Sequence, residues 1–290
     1  MKKAKSTTLR QLLQEEEILI VPGAYDALSA KIIQQVGFKA MLMGGYSIAA
    51  SRLAQPDVGC LSMTEMAAAL KIITDAVELP VIADGDTGYG NPLSVRRTVQ
   101  EYEKVGAAAV IFEDQVFPKR CGHMQGKEVI PAVDHVQKIR AACEAKEGQD
   151  LLIVARTDAR AVLGLAAAVE RGKQYLQAGA DALFIEAPQS INELENIGKA
   201  FPDTILIANM VEGGRTPVLT AIELRQLGFK IVFWPCTAIY SVARILEKVF
   251  QSLRDTGSTN LCEEHMVNFS EFNQLVSLDK YLELDRRFKE

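Results

Sequence analysis

The sequence predicts an α/β fold, a (β/α)8 barrel of the TIM type followed by extra C-terminal helices. Eight short apolar runs recur along the 290 residues, and segments with helical spacing of apolar residues separate them. Continuous apolar runs of this length are typical of strands buried on both faces of a parallel sheet. A strand–helix unit repeated eight times is the pattern of a closed barrel.

The predicted strands end in Gly, Pro or a polar residue. They are Ile18–Pro22, Lys39–Gly45, Pro80–Asp84, Ala108–Glu113, Leu151–Thr157, Ala182–Glu186, Thr204–Asn209 and Lys230–Pro235. The alternative architecture, an open doubly wound sheet, normally carries a glycine-rich phosphate loop after a strand. Neither GxGxxG nor GxxxxGK[ST] follows any of these runs, which favours the barrel.

Helical segments are predicted between the strands by apolar residues at helical spacing. The clearest sets are Met66, Leu70, Ile73 and Val77, and Val133, Val136, Ile139 and Cys143. Four glycines stand between a helical segment and the next strand: Gly37, Gly106, Gly179 and Gly228. Glycine is the expected residue at the end of a helix, so this weak repeat supports the strand–helix alternation.

The chain after the eighth strand contains more helix than a barrel needs. We predict a helix over Ala238–Thr256 and one or two more over Cys262–Leu275 and Asp279–Phe288. Apolar residues such as Met266 and Phe269 have no partner in a finished barrel, so we expect these helices to pack on another subunit or to cover the barrel mouth. Because no linker divides the chain, we predict a single domain over residues 1–290.

The composition excludes several classes of function. The chain has 32 Lys and Arg against 37 Asp and Glu, for a net charge of −5. A mildly acidic chain without a basic run binds nucleic acid poorly. It has no apolar stretch long enough for a membrane span or a secretory signal. Five irregularly spaced cysteines are typical of reduced thiols in a cytoplasm, so we expect a cytoplasmic protein acting on a small molecule.

Acidic residues stand at the ends of successive predicted strands. Asp84 and Asp86 follow the third strand, and Glu113 ends the fourth. The loops at the C-terminal ends of barrel strands converge on one mouth, so these carboxylates come together and repel one another. A cation relieves that repulsion, and oxygen ligands suit Mg2+ or Mn2+. Zinc is disfavoured, because the chain has only three histidines and no HxxxH pair.

The segment Lys119-Arg120-Cys121-Gly122-His123 follows the fourth strand. Its cations and histidine predict a positive field that lowers the thiol pKa and eases proton exchange near neutral pH. Gly122 allows the backbone to approach a ligand closely. The charged side chains are suited to hold carboxylates or a developing enolate. The other four cysteines lack such neighbours and are interpreted as packing residues.

Three further features carry weaker signals. The glycine-rich segment 86–91 lacks the Lys of a phosphate loop and predicts a mobile loop beside the metal. His135 and His265 lie among charged residues in helical segments, so we expect them at surface or capping positions. The segment around Cys121 is flanked by Pro118 and Gly126, which predicts a lid that closes to exclude water.

With these motifs the chain resembles the isocitrate lyase/phosphoenolpyruvate mutase superfamily over nearly its whole length. The motifs are Val21–Ala24, Asp84–Gly90, Glu113–Gln115, Lys119–His123, Ala155–Ala159, and Asn209 with Glu212–Pro217. Lys-Lys/Arg-Cys-Gly-His is typical of the carbon–carbon lyases of the superfamily, whose Cys is the catalytic acid/base. The short-chain branch includes 2-methylisocitrate lyase, 2,3-dimethylmalate lyase and carboxyphosphonoenolpyruvate mutase.

The resemblance implies a role for each site residue. The implied metal is Mg2+, replaceable by Mn2+, with Asp84 in direct contact and Asp57, Asp86 and Glu113 acting through waters. The implied catalytic residues are Cys121, Lys119, Arg120 and His123. The implied substrate-binding residues are Gly44, Gly45 and Tyr46 for the pyruvate part, together with Gly122, Arg156, Glu186, Asn209, Glu212 and Arg215. A homotetramer that exchanges its C-terminal helices is also implied.

Two departures bear on the substrate. Leu42-Met43-Gly44-Gly45 stands where lyases of isocitrate-type substrates usually have Tyr-Leu-Ser-Gly, and Glu212-Gly213-Gly214-Arg215 resembles the loop of malate-type lyases. We also expect Trp234 at the pocket rim, where it favours an alkyl group. We therefore predict retro-aldol cleavage of a 2-hydroxy di- or tricarboxylate, 2,3-dimethylmalate or 2-methylisocitrate, to pyruvate and a second carboxylate, with the malate preferred.

Alternative functions stay open at this point. A carboxyphosphonoenolpyruvate phosphonomutase keeps the fold and the metal. An oxaloacetate hydrolase or decarboxylase does so too, although relatives of that type usually lack the Cys. A non-enzymatic 2-oxo acid binding protein needs the pocket and has no use for Cys121.

Overall fold

The computed structural model describes residues 5–148 and 150–289. Its strands are β1 (Leu19–Ala24), β2 (Met41–Met43), β3 (Val81–Asp84), β4 (Ala109–Glu113), β5 (Leu152–Thr157), β6 (Ala182–Ile185), β7 (Ile205–Asn209) and β8 (Ile231–Trp234). The helices up to β5 are α1 (Lys5–Glu15), α2 (Ala27–Val36), α3 (Gly45–Leu53), α4 (Met63–Ala76), α5 (Pro92–Lys104) and α6 (Ala132–Ala145). After β5 come α7 (Ala159–Leu163), α8 (Leu165–Gln177), α9 (Ile191–Ala200), α10 (Ala221–Gln226), α11 (Thr237–Thr256), α12 (Phe269–Leu275) and α13 (Leu278–Arg287).

The eight strands form a closed parallel barrel in sequence order, and β1 pairs with β8. Alternate side chains point to opposite sides of the sheet. On β4, Ile111 belongs to the cluster that fills the barrel, while Val110 and Phe112 belong to a cluster that includes helix residues. Burial on both faces explains the continuous apolar runs, and the predicted (β/α)8 barrel is confirmed.

Helix α1, which the sequence analysis did not predict, closes the N-terminal end of the barrel. Leu9 and Leu13 are buried in the same cluster as the barrel-filling side chains. Arg10 donates hydrogen bonds to the Asp150 carbonyl and to Asp181 Oδ1, both 2.9 Å away, ahead of β5 and β6. With this end filled, the opposite mouth is the one open to a ligand.

Most barrel strands and their following helices lie where they were predicted, and α6 differs in which of its residues are buried. Gly37, Gly106, Gly179 and Gly228 all adopt left-handed backbone angles, with φ between 90° and 108°, as predicted for helix ends. In α6, Val133 is 61% exposed, whereas His135 is fully buried. The expectation of a surface or capping His135 is wrong, because its ring packs edge-on against Tyr175 at 4.6 Å between ring centroids.

The chain divides into two compact units, and the second begins at Ala238. It contains most of α11, a 3-10 helix over Asn260–His265, α12 and α13, so the helix expected over Cys262–Leu275 is interrupted. Many large apolar side chains of this unit are exposed, among them Phe250, Phe269 and Phe288. No helix in the described part of the chain is long and apolar enough to span a membrane.

Candidate active site

Five polar residues end or directly follow successive barrel strands at the C-terminal mouth. Asp84, Glu113 and Asn209 are the last residues of β3, β4 and β7, Arg156 is next to last in β5, and Glu186 follows β6. Glu113 and Arg156 are register partners on neighbouring strands, and their side chains meet at 3.2 Å. The barrel therefore brings these predicted residues to one mouth.

Lys119 joins the acidic residues on one side of the mouth. Its buried ammonium lies 2.7 Å from Asp57 Oδ1 and 2.7 Å from Asp86 Oδ1. Burial opposes its charge, but Asp86, Asp57 and Glu113 raise the pKa of Lys119 well above its usual value. Lys119 thus remains a cation that pairs with two predicted metal-site carboxylates and balances the charge of one.

The beginning of α3 lies against the same carboxylates. The Gly45 N–H donates to Asp84 Oδ2 at 3.0 Å. A Cβ on Gly45 would lie 3.2 Å from Asp84 Oδ2 and 3.4 Å from both Asp86 Oδ1 and Lys119 Nζ, so only a residue without a side chain fits easily. Gly44 is the N-cap of α3 and Tyr46 lies in its first turn, which places the predicted pyruvate-binding segment beside Asp84.

The carboxylates fit a hydrated Mg2+ rather than a closed metal cage. Among the described residues, no three His, Cys, Asp or Glu side chains are arranged to enclose an ion. Asp86 Oδ1 and Glu113 Oε1 are nevertheless buried without a hydrogen-bond partner, although Lys119 forms an ion pair with Asp86. Mg2+ usually keeps several waters and takes only one or two protein carboxylates. Glu113 Oε1, which has no partner, and Asp86 Oδ1, which is paired with Lys119, are hard oxygen donors that suit such an ion.

Burial raises the pKa of Asp86 to about 6, and Asp84 adds to the rise while Lys119 opposes it. Burial likewise raises the pKa of Glu113 well above its usual range, against the opposite effects of Arg156 and Lys119. Both carboxyls are thus short of positive charge in the protein alone. A divalent cation would supply it.

Arg156 is fixed by three carboxylates. Its Nε and Nη2 donate to Asp158 Oδ2 and Oδ1 at 3.0 and 3.1 Å, and Nη2 lies 3.5 Å from Glu186 Oε2 as well as near Glu113. The guanidinium also stacks 5.3 Å above the ring of Phe184, inside the barrel. Burial alone would raise the pKa of Glu186, but Arg156 and His123 lower it well below its usual range.

Two residues that sequence reasoning passed over complete this network. Lys127 Nζ lies 2.7 Å from Asp158 Oδ1 and donates to the Gly122 carbonyl. Asp114, fully buried, accepts from the Asp158 N–H at 2.9 Å and from Thr157 Oγ1 at 2.7 Å. The motif contained Asp114, but no sequence pattern indicated that it supports Asp158 from behind.

Cys121 lies in the loop over the mouth, and its predicted low pKa is wrong. Burial raises the pKa of the thiol to about 11, and the nearby Asp57 adds to the rise. The reason is that its charged neighbours turn elsewhere: Lys119 binds the acidic residues, and the exposed Arg120 donates to the Gln125 carbonyl at 3.0 Å. At neutral pH the sulfur therefore carries its proton.

Gly122 fits into a space that no side chain could share. A Cβ there would lie 2.4 Å from Glu186 Cγ and 2.6 Å from Arg156 Nη2. The expectation was that Gly122 allows a ligand to approach; in the structure, two protein side chains occupy that position. The absence of a side chain at Gly122 thus allows the Cys121 loop to pack closely against the strand ends.

His123 connects this loop to the one after β7. Its Nδ1 accepts from the Arg215 N–H at 3.0 Å, while Arg215 Nε donates to the His123 carbonyl at 2.9 Å. Because Nδ1 is an acceptor, the proton of the neutral ring lies on Nε2, which is 3.1 Å from Glu186 Oε1. Asn209 Nδ2 lies 3.4 Å from both Glu186 oxygens, and its Oδ1 is buried without a partner.

Other predicted residues lie away from this centre or in a different environment. Trp234 packs in the cluster between strands and helices, so it does not line the pocket as expected. Glu212 accepts from Thr237 Oγ1, and its Oε2 is buried without a partner. In the segment 86–91, expected to be mobile, Asp86 and Thr87 are buried, and the Thr87 carbonyl accepts from Lys138 at 2.8 Å.

The site has an excess of negative charge when its carboxylates are ionised. Its carboxylates are Asp57, Asp84, Asp86, Glu113, Asp158 and Glu186. Its cations are Lys119 and Lys127, which are buried, and Arg156, whose side chain is 11% exposed. An anionic ligand is repelled by such a pocket unless a cation enters as well. A barrel mouth of this kind suits a small anion that is accompanied by a metal cation.

The family follows from sequence comparison. A family model described as phosphoenolpyruvate phosphomutase matches residues 9–254. The chain belongs to the phosphoenolpyruvate mutase/isocitrate lyase superfamily. It is 46% identical to 2,3-dimethylmalate lyase of Eubacterium barkeri over 280 residues, covering 97% of this chain and 96% of that protein. It is 40% identical to 2-methylisocitrate lyase of Aeropyrum pernix over 277 residues, covering 96% and 89%.

Solved structures of several family members share the fold. A crystal structure of 2,3-dimethylmalate lyase matches with a TM-score of 0.92 at 34% identity, covering 98% of this chain and 95% of that one. Oxaloacetate acetylhydrolase with 3,3-difluorooxalacetate matches with a TM-score of 0.93 at 32% identity, covering 99% and 97%. Phosphonopyruvate hydrolase with oxalate and Mg2+ matches with a TM-score of 0.90 at 30% identity, covering 99% and 100%.

Proposed function

We propose that the protein is a Mg2+-dependent carbon–carbon lyase that cleaves a substituted malate to pyruvate and a second carboxylate. The observation that carries this proposal is the seating of the Cys121 loop on the mouth, where Gly122 packs against Glu186 and Arg156 and the Cys121 N–H donates to the Asp57 carbonyl. The pKa of the half-buried thiol is raised there, which suits a proton donor. A lyase needs a proton donor for the fragment that leaves as a carbanion. The family supports the class, since lyases of small carboxylates are among its members.

Asp84 would hold Mg2+ directly, with Asp86, Glu113 and Asp57 around its waters. When bound, the ion withdraws electron density from the hydroxyl and carboxylate oxygens of the pyruvate-forming half. The structure of phosphonopyruvate hydrolase in complex with oxalate and Mg2+, which shares this fold, supports the assignment. The excess of negative charge at the mouth supports it independently.

The chain's own residues orient the substrate. We assign the carboxylate of the pyruvate-forming half to the guanidinium of Arg156, which Asp158 holds in place through Nε and Nη2. The α3 N-terminus at Gly44–Tyr46 adds a positive dipole on the same side. Asn209 and His123, both within 3.4 Å of Glu186 oxygens, form the wall for the other half.

The bond cleavage is balanced by two proton transfers. The hydroxyl proton leaves to a carboxylate of the cluster as the carbonyl of pyruvate forms. The electrons of the broken carbon–carbon bond pass to the α-carbon of the second carboxylate. The S–H of Cys121 gives its proton to that carbon, a contribution of about 10²–10⁴ in rate for a general acid.

A dicarboxylate is favoured over a tricarboxylate because, with Arg156 assigned to the pyruvate-forming half, the cations left for a third carboxylate are engaged by protein partners. Lys119 binds Asp57 and Asp86, and Lys127 binds Asp158. Arg215 uses its Nε for the His123 carbonyl. A third carboxylate without a partner would cost several kcal/mol on burial. A methyl-substituted malate avoids that cost.

Release of pyruvate from each substrate, measured together with release of oxalate from oxaloacetate, tests the proposal. Purified protein with Mg2+ is mixed in turn with 2,3-dimethylmalate, 2-methylisocitrate, oxaloacetate and phosphonopyruvate. We expect the highest kcat/KM for 2,3-dimethylmalate, loss of turnover in EDTA, and a decrease of at least about 10²-fold in Cys121→Ala. Cleavage of oxaloacetate or phosphonopyruvate alone, or full turnover by Cys121→Ala, would contradict the lyase. A preference for 2-methylisocitrate above about 100-fold would overturn only the choice of substrate.

The assembly and the location are also proposals. The exposed apolar side chains of the helices after Ala238 support a homotetramer that exchanges these helices. All five cysteines lie in the described residues and none forms a disulfide, which supports a cytoplasmic location.

A further inference from the structure

Lys127 is a buried cation that none of the functional motifs contains. Its side chain is 1% exposed, and its ammonium lies 2.7 Å from Asp158 Oδ1 while donating to the Gly122 carbonyl. A charge removed from water is stable only where it is paired and hydrogen-bonded. The position of Lys127 is therefore tied to both partners.

These partners belong to different elements. Gly122 lies in the loop between β4 and α6, and Asp158 lies between β5 and α7. Asp158 Oδ1 also accepts from Arg156 Nη2 at 3.1 Å, so the same oxygen binds both cations. Burial opposes ionisation of Asp158, but Arg156 and Lys127 lower its pKa. The contact thus joins the Cys121 loop directly to the carboxylate that orients Arg156.

The loop has a second charged anchor at its other end. Lys119 binds Asp57 and Asp86 there, at the predicted metal site. Between the anchors, the Cys121 N–H donates to the Asp57 carbonyl at 3.0 Å, and Gly122 packs against Glu186 and Arg156. Without Lys127, the far end of the loop would lose its charged connection to β5, and Gly122 would lose the donor to its carbonyl.

We propose that Lys127 is a positioning residue that fastens the Cys121 loop to Asp158 and so couples closure of the loop to the orientation of Arg156. Its effect on turnover rests on the proposed function. Its effect on the loop does not, because it follows from contacts within the protein. Lys127 itself takes no part in proton transfer.

The test is amide hydrogen exchange of the full-length protein, followed by mass spectrometry of the peptide that covers residues 119–127. The variant is Lys127→Met, which keeps the length of the stem and removes the charge. The matched control is Lys146→Met, because Lys146 is also paired with a carboxylate, Asp181, at 3.3 Å, but lies near the other end of the barrel with 15% of its side chain exposed.

We expect Lys127→Met to speed exchange of the Cys121 and Met124 amides at least tenfold, a change of about 1.4 kcal/mol in the opening equilibrium. Peptides from β4 and β5 should exchange as in the wild type. Lys146→Met should leave the loop unchanged, and Lys127→Arg, which retains a cation, should return its exchange to within threefold of the wild type. In the lyase assay, the kcat of Lys127→Met should fall at least tenfold. This decrease in kcat should be a larger factor than any increase in KM.

Unchanged loop exchange in a folded Lys127→Met protein would overturn the proposal. Equal acceleration in the loop and in the barrel strands would also overturn it, because a purely structural role produces that result. If Lys127→Met does not fold, Lys127→Gln is used, whose amide can still donate to Gly122 but carries no charge. If the wild type cleaves none of the substrates, the proposed function fails while the exchange comparison still decides the role of Lys127.

Discussion

Replacing Gly122 by Ala tests how the Cys121 loop seats on the strand ends. A Cβ at this position would lie 2.4 Å from Glu186 Cγ and 2.6 Å from Arg156 Nη2. Non-bonded carbon atoms pack at about 3.5–4.0 Å, so the loop or its neighbours must move by about 1 Å. Glu186 and Arg156 are buried and held by Asp158 and His123, so we expect the loop to move.

Overpacking of this kind costs about 1–3 kcal/mol. If the cost falls on the closed loop, kcat/KM decreases by about 5- to 140-fold. The melting temperature should change little, because the barrel itself is not disturbed. The assay is pyruvate release together with thermal unfolding followed by circular dichroism.

The control is Gly148→Ala, at an exposed turn where a Cβ would meet only the Glu103 Oε1 atom at 3.0 Å. We expect its activity to match the wild type, because the end of the Glu103 side chain can move. Gly122→Ala activity within twofold of the wild type would refute the proposed seating of the loop. A large loss of stability with normal kcat/KM would refute it as well.

Three more predictions concern burial, the metal site and assembly. Burial lowers the pKa of His135 to about 4, so between about pH 6.5 and pH 4 the unfolded chain binds a proton at this residue that the folded chain does not, and stability falls as the pH falls. In the His135→Phe variant, the decrease in unfolding free energy between pH 7 and pH 5 should be about 2 kcal/mol smaller than in the wild type, as measured by urea titration. An unchanged dependence of the unfolding free energy on pH would contradict this. Gly45→Ala, whose Cβ would lie 3.2 Å from Asp84 Oδ2, should raise the Mg2+ concentration for half-maximal activity by about tenfold, and an unchanged Mg2+ titration would exclude a metal site there. Phe250→Glu combined with Phe269→Glu should lower the mass in sedimentation, since Phe269 is 87% exposed; an unchanged oligomer would rule out an interface at these side chains.

Periodicity and strand ends made most of the fold and the mouth predictable. Glu113 and Arg156 each close an apolar run, and a barrel places such residues at one mouth without any further information. Helix α1 was missed because, among its side chains that the structure describes, Leu9 and Leu13 alone join the core, too few for a periodic signal. The four glycines correctly predicted helix ends because a helix that ends in the left-handed conformation favours glycine at that one position.

The properties that depend on side-chain direction could not be predicted. The sequence places Lys119 and Arg120 next to Cys121, yet one turns to Asp57 and the other to solvent, so the thiol lies in a site governed by burial. Lys127 was missed for a related reason. Its partner Asp158 is 31 residues away, and no local pattern connects the two.

Two neighbouring strands provide both the residues of the site and the contacts that hold them in place. The residues concerned are the adjacent pairs Glu113-Asp114 at the end of β4 and Arg156-Thr157 at the end of β5. Successive side chains of a strand point to opposite faces. Glu113 and Arg156 are register partners that face the mouth and meet at 3.2 Å. The next residues, Asp114 and Thr157, meet on the other side at 2.7 Å.

On that other side, Asp114 accepts from Arg171 and Tyr175 of α8, at 2.8 and 2.7 Å, as well as from the Asp158 N–H. Helix α8 thereby fixes the backbone of Asp158, whose carboxylate holds Arg156 in the mouth and Lys127 under the loop. One register shift between β4 and β5 would separate both pairs at once. The acid at position 114 is therefore needed for the geometry of the mouth although it never faces it.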